Sequence, residues 1–206
     1  MKPWLLLCAL PALAVDPSLF YSKSFPGSTP PYMEVRLAAD GSVEYRETPD
    51  EAALRFKLKE AELKPVLELT AKLDNFSRPL ESGLPVARMG EKTFRYEKDG
   101  EKKEVKFNYS QDLDAQALLE WFERITESAR YYYDLERAVK FDRLGVNHAI
   151  LKLESAWDRQ RLVAVDLFEP LLNRVIKNDV YLNMARERAA KLAEAFRAGP
   201  PKPKTP

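Results

Sequence analysis

Tyr32-Met33-Glu34-Val35-Arg36-Leu37-Ala38-Ala39-Asp40-Gly41-Ser42-Val43-Glu44-Tyr45-Arg46 is the stretch from which the fold can be read. Val35 and Leu37 alternate with Glu34 and Arg36, and Val43 and Tyr45 alternate with Ser42, Glu44 and Arg46. A period of two puts alternate side chains on opposite faces of a strand. Asp40-Gly41 joins the two runs, and both residue types tolerate the positive φ of a tight turn. The stretch therefore predicts a hairpin with one apolar and one charged face.

The pattern continues outward. Leu54, Phe56 and Leu58 alternate with Arg55 and Lys57, which predicts a third strand. A second hairpin turns at Asp99-Gly100, with Phe94 and Tyr96 on one arm and Val105, Phe107 and Tyr109 on the other. Between the hairpins, Leu63, Val66, Leu67, Thr70, Leu73 and Phe76 form a helical stripe. Pro65 is tolerable only near a first turn, so this helix is expected to begin nearer Glu62 than Glu60. Residues 15–31 are rich in Ser and Pro and read as an irregular lead-in. Residues 77–91 read as a long loop containing Pro79, Gly83, Pro85 and Gly90.

After Ser110 the period changes to that of a helix. Leu118, Phe122, Ile125, Ala129 and Tyr132 make one stripe, and Val146, Ile150, Leu153 and Trp157 make another. Gly145 reads as a stop and Asn147 as a cap. Asp166 with Glu169 suggests a capping box, with Pro170 in the first turn. Asp179 reads as the cap of a last helix carrying Leu182, Ala185, Ala189, Leu192 and Phe196. The fold class expected is α+β. An antiparallel sheet of about five strands with one covering helix occupies 15–110, and a bundle of four or five helices packed on it occupies 111–198. Residues 199–206 read as a disordered Pro-rich tail.

The address is read from the N-terminus. Met1 and Lys2, the apolar run Trp4 to Leu10, and Ala12-Leu13-Ala14 follow the order of a secretory signal peptide, with cleavage before Val15. The expected location is periplasmic or secreted. Cys8 leaves lipid anchoring as an alternative, although Leu5-Leu6-Leu7-Cys8 puts a leucine where a lipoprotein signal has a small residue and the apolar run before Cys8 is short. Removing residues 1–14 takes the 33 basic and 32 acidic residues to 32 of each, because that segment holds one Lys and no acid. It also removes the only cysteine, so no disulfide, thiol nucleophile or thiolate metal site is expected. Residues 15–110 carry 16 basic and 17 acidic side chains, and residues 111–206 carry 16 and 15. No basic module for nucleic acid is expected from that balance. No run reaches the roughly 20 apolar residues of a membrane-spanning helix.

Catalytic chemistry finds little support. His148 is the only histidine, and no G-x-S-x-G elbow surrounds any serine. No phosphate-cradling glycine loop occurs, and no cofactor or metal is implied. Asp112 and Asp114 stand where carboxylates meet a helix dipole. Asn108-Tyr109-Ser110 matches a glycosylation pattern but falls in an expected strand, and reads as chance. The candidate contact residues are Trp121, Arg124 and Tyr131, which lie off or at the edge of their helix's apolar stripe, with Arg78 and Arg88 in the 77–91 loop. Aromatic and arginine residues of this kind anchor interfaces.

From Ser24 to Phe76 the order is Pro-Gly, Pro-Pro-Tyr, strand, Asp40-Gly41, strand, helix. In this the chain resembles uncharacterised secreted proteins of bacteria. The resemblance implies a fold sketch and carries no functional residue. The expected function is a non-enzymatic binding or interaction module of the envelope, with a protein or glycan partner. The alternative is a carboxylate-dependent hydrolase acting on envelope polymers.

Overall fold

The computed structural model describes residues 17–199. The signal-peptide reading, Cys8 and the tail beyond Gly199 lie outside those residues. Six strands form one antiparallel sheet: β1 (Ser18–Ser24), β2 (Tyr32–Ala38), β3 (Ser42–Arg46), β4 (Leu54–Lys57), β5 (Glu91–Lys98) and β6 (Glu101–Phe107). Their order across the sheet is β4-β3-β2-β1-β5-β6. The helices are α1 (Glu60–Lys72), α2 (Leu113–Phe141), α3 (Val146–Asp158), α4 (Glu169–Ile176) and α5 (Asn183–Ala198).

Both expected hairpins form, as does the strand at Leu54. The sheet has six strands, because the Ser/Pro-rich lead-in contains β1, one of its two central strands. Pro17 precedes β1, and Pro26, Gly27, Pro30 and Pro31 follow it in a turn that Phe25 N–H closes onto the Pro31 carbonyl at 2.8 Å. Alternation is weak in β1 because both faces are covered. Leu19 and Tyr21 enter the core, while Phe20 faces outward and is still only 8% exposed. Arg95 and Arg36, opposite Phe20 on β5 and β2, lay their guanidinium groups 4.3 and 5.4 Å from its ring centroid. Stacked arginine thus does for the outer face what a helix does for the inner one.

Pro65 does not delay α1, which begins at Glu60. Glu62 anchors the first turn from its side chain, accepting from Lys59 N–H at 2.8 Å and from Ala164 N–H at 3.0 Å. The expected caps at Asn147, Asp166 and Asp179 are not used as such. Asn147 instead accepts from Arg188 Nε at 3.3 Å, and Asp142 holds the turn before α3 by accepting from Gly145 N–H at 2.9 Å.

The side chains build two cores. The first joins the inner sheet face, α1 and Ala115 to Ala129 of α2. The second joins Leu135 to Val139 of α2 with α3, α4 and α5. The sheet ends near residue 110, yet the cores divide further on, within α2. That 29-residue helix is about 43 Å long at 1.5 Å per residue, long enough to serve both. No helix among the described residues is long and apolar enough to cross a membrane.

Candidate functional site

The 77–90 segment is an ordered strap around the end of β6. Leu80 is buried and fastens one end. Ser82 N–H donates to the Tyr109 carbonyl at 2.8 Å. Asn108 does most of the rest. Its side-chain oxygen accepts from Met89 N–H at 2.8 Å, its amide donates to the Ala87 carbonyl at 3.1 Å, and its own N–H donates to Glu81 at 2.6 Å. Backbone N–H groups, led by that of Asn108 and followed by that of Ser82, hold the Glu81 carboxyl below the usual carboxylate range. In the sequence Asn108 stands out only as part of a glycosylation pattern. Its side chain is committed to the strap.

Between those fastenings the strap presents Leu84, Pro85, Val86, Ala87 and Met89 to solvent, with Met89 61% exposed. Beneath it lies an open cleft of about 580 Å³, lined by Phe25, Glu81, Arg88, Glu91 and Lys106 among others. Lys106 and Glu91 answer each other at 3.5 Å. Arg88 makes no ion pair among the described residues. The arrangement is a rigid frame carrying exposed apolar side chains beside one uncommitted cation. Arg78, the other loop arginine, is committed elsewhere: its Nη2 lies 2.6 Å from Asp112, and its Nε lies 3.5 Å from Asp74. Asp112 is the N-cap of α2, accepting from the N–H groups of Asp114 and Ala115 at 2.9 and 3.1 Å.

Trp121, Arg124 and Tyr131 do not form one platform. Trp121 packs on the first core and Tyr131 on the second, about 15 Å apart along the helix axis. Arg124 lies over the Trp121 ring at 4.3 Å and donates to the Leu162 carbonyl at 3.4 Å. Burial pushes its pKa down, and its Nε has no hydrogen-bond partner. Beside it, Arg161 forks onto Glu127 at 2.8 and 2.9 Å. This cluster sits where the 159–165 connection crosses α2. Alanine at Trp121 or Tyr131 therefore removes packing along with any contact, which makes both poor probes of binding.

The titratable groups bear on the hydrolase alternative. Asp40, Glu81, Glu104 and Asp112 are all displaced downward, Asp40 to about 2, by hydrogen bonds and ion pairs. A general acid needs the opposite displacement. His148 is exposed on α3. No group of three or more metal-ligating side chains occurs among the described residues. In comparisons with known proteins, the chain matches no family model and no curated protein.

Proposed function

We propose that the chain is an exported, non-enzymatic binding module of the bacterial envelope, and that it engages a protein partner through the 83–89 strap and the adjoining cleft. One observation carries the reading: Leu84, Val86 and Met89 are exposed together on a segment that Asn108 and Glu81 hold in place. Mobile loops expose apolar residues intermittently, whereas a pinned strap presents them in one geometry. Pre-ordering lowers the entropy lost on association. Arg88 beside the apolar side chains favours a partner with an acidic group next to an apolar one. The export signal read in residues 1–14 supports an envelope location.

The test places a photo-cross-linking residue at Met89 and exposes the purified chain to envelope extract from its native host. The proposal expects one dominant protein adduct. It also expects that adduct to fall at least tenfold when Arg88→Glu or Leu84→Ser with Val86→Ser is introduced into a chain of unchanged circular dichroism. Adducts indifferent to those substitutions would remove the strap from consideration. Turnover of an envelope polymer that is lost on a single carboxylate-to-amide substitution would establish the hydrolase instead.

A further inference from the structure

The helical bundle carries a second exposed apolar surface, assembled from two turns far apart in sequence. The α2–α3 turn exposes Phe141 (83%) and Leu144 (75%). The α4–α5 turn exposes Val180, Leu182 and Met184. Two contacts bring the turns together. The buried Tyr181 hydroxyl donates to the Val139 carbonyl at 3.0 Å, tying the second turn to the last turn of α2. Arg188 of α5 bonds Asn147 at 3.3 Å and pairs with Glu154 of α3. One end of the helical bundle thus presents five large apolar side chains.

The charge around that end leans positive. Residues 137–148 and 174–188 hold seven Lys and Arg against three Asp and Glu, and two of the seven, Lys140 and Arg188, pair with Glu136 and Glu154 outside those stretches. Arg137, Arg143 and Lys177 make no ion pair among the described residues. Asp142 is engaged by Gly145 N–H, the bond that shapes the Phe141–Leu144 turn. A Cβ added at Gly145 would meet that carboxylate, which could move aside only by giving up its bond to the Gly145 N–H. Phe141 and Arg137 also line a groove beside α2 that holds Glu47, Glu51, Asp134 and Glu136 with Arg130 and Lys140, so the unpaired cations of the apolar end proper are Arg143 and Lys177.

We infer that this end of the bundle docks on an anionic lipid bilayer, with Phe141 and Leu144 inserted at the headgroup boundary and Arg143 and Lys177 among the lipid phosphates. Apolar side chains with Arg143 and Lys177 beside them in the same turns match both layers of such a surface: acyl chains receive the first and anionic headgroups the second. A second copy of the chain fits less well. It would bring the same excess of cations against itself. Five exposed apolar residues gathered at one end of a protein mark an interaction site rather than ordinary surface scatter.

The chain from Val15 onward tests this, because every described contact lies beyond residue 16 and Cys8 is the only cysteine. Leu144→Cys then gives a unique position for an environment-sensitive dye. Vesicles of phosphatidylglycerol with phosphatidylcholine are compared with phosphatidylcholine alone. The expected result is a blue shift of the dye on the anionic vesicles, at least tenfold tighter binding to them, and loss of that difference in high salt. In the unlabelled chain, sedimentation with vesicles should fall at least tenfold for Phe141→Ser with Leu144→Ser. Arg143→Glu with Lys177→Glu should abolish the preference for anionic lipid, and Met89→Ser on the strap should change nothing. Equal binding to both vesicles, no dye shift, or binding indifferent to Phe141→Ser with Leu144→Ser would overturn the inference. So would a concentration-dependent dimer that Phe141→Ser with Leu144→Ser dissolves while vesicles remain unbound.

Discussion

Ser128→Ala tests whether the connection between α3 and α4 is what locks the two cores together. Ser128 lies on α2 and is 0% exposed. Its hydroxyl accepts from the N–H of Val163, itself 0% exposed, at 2.9 Å. Alanine removes the acceptor and leaves a buried backbone donor with no partner. An unsatisfied buried group costs about 1–3 kcal/mol, whereas the net worth of an ordinary hydrogen bond is about 1 kcal/mol. The lost oxygen leaves too small a void to add much. The expected destabilisation is therefore about 2 kcal/mol, roughly thirtyfold in the folding equilibrium. Urea unfolding followed by circular dichroism and tryptophan fluorescence measures it. In the chain from Val15 onward the tryptophans are Trp121, packed on the first core, and Trp157, in the second. A lower midpoint with an unchanged slope is the predicted signature. Ser155→Ala, at an exposed position, serves as control and should shift the midpoint little. A loss below about 0.5 kcal/mol for Ser128→Ala, equal to the control, would refute the reasoning. It would mean that Val163 finds another acceptor or water.

Three further predictions rest on different parts of the fold. Phe20→Ala should cost about 3 kcal/mol by denaturation, because the ring is buried under Arg36 and Arg95 although no helix covers it; a cost near zero would show that the arginine cover is ineffective. Asn108→Ala should free the strap, read as faster amide exchange and proteolysis between residues 82 and 90 with the sheet still protected; unchanged protection there would contradict the pinning. Asp40 is held down to about 2 from an ordinary 3.8, first by the Ser42 N–H and hydroxyl and then by Lys57. Its folded pKa lies below its unfolded one, so its contribution to stability is fully present above about pH 4 and lost as pH falls toward 2. An NMR titration of Asp40 with a midpoint near 3.8 would remove that contribution.

Much of the architecture was legible because it is written in local order. The two hairpins followed from alternation around Asp40-Gly41 and Asp99-Gly100, and the helical stripes from Leu118 to Tyr132 and from Val146 to Trp157. Strand β1 was not legible for a specific reason. Alternation reports a strand only when one face is wet, and Phe20 is dry on the outer face through arginines contributed by β2 and β5. The caps expected at Asn147, Asp166 and Asp179 failed similarly, since other side chains and turns finish those helix ends.

The candidate contacts divide along the same line. Arg88 and the strap stood out by loop length and composition, and the structure leaves them exposed. Arg78 resembled Arg88 in sequence but is taken up by Asp112, a partner 34 residues away. Trp121 and Tyr131 both lie off or at the edge of the apolar stripe, yet α2 delivers them to different cores.

Periodicity and turn chemistry along the chain were enough to specify strands, helices and an α+β layering, because those depend on neighbours a few residues apart. They also specified a balanced net charge and a lack of thiols beyond Cys8. Tertiary structure alone decided that Ser18–Ser24 lies at the centre of the sheet and that Asn108 holds the strap. It alone placed the turn at Phe141 beside the turn at Val180 through Tyr181 and Val139. Neither turn is conspicuous by itself. Their apolar residues and their cations become one surface only because helix packing closes a separation that the order of residues leaves open.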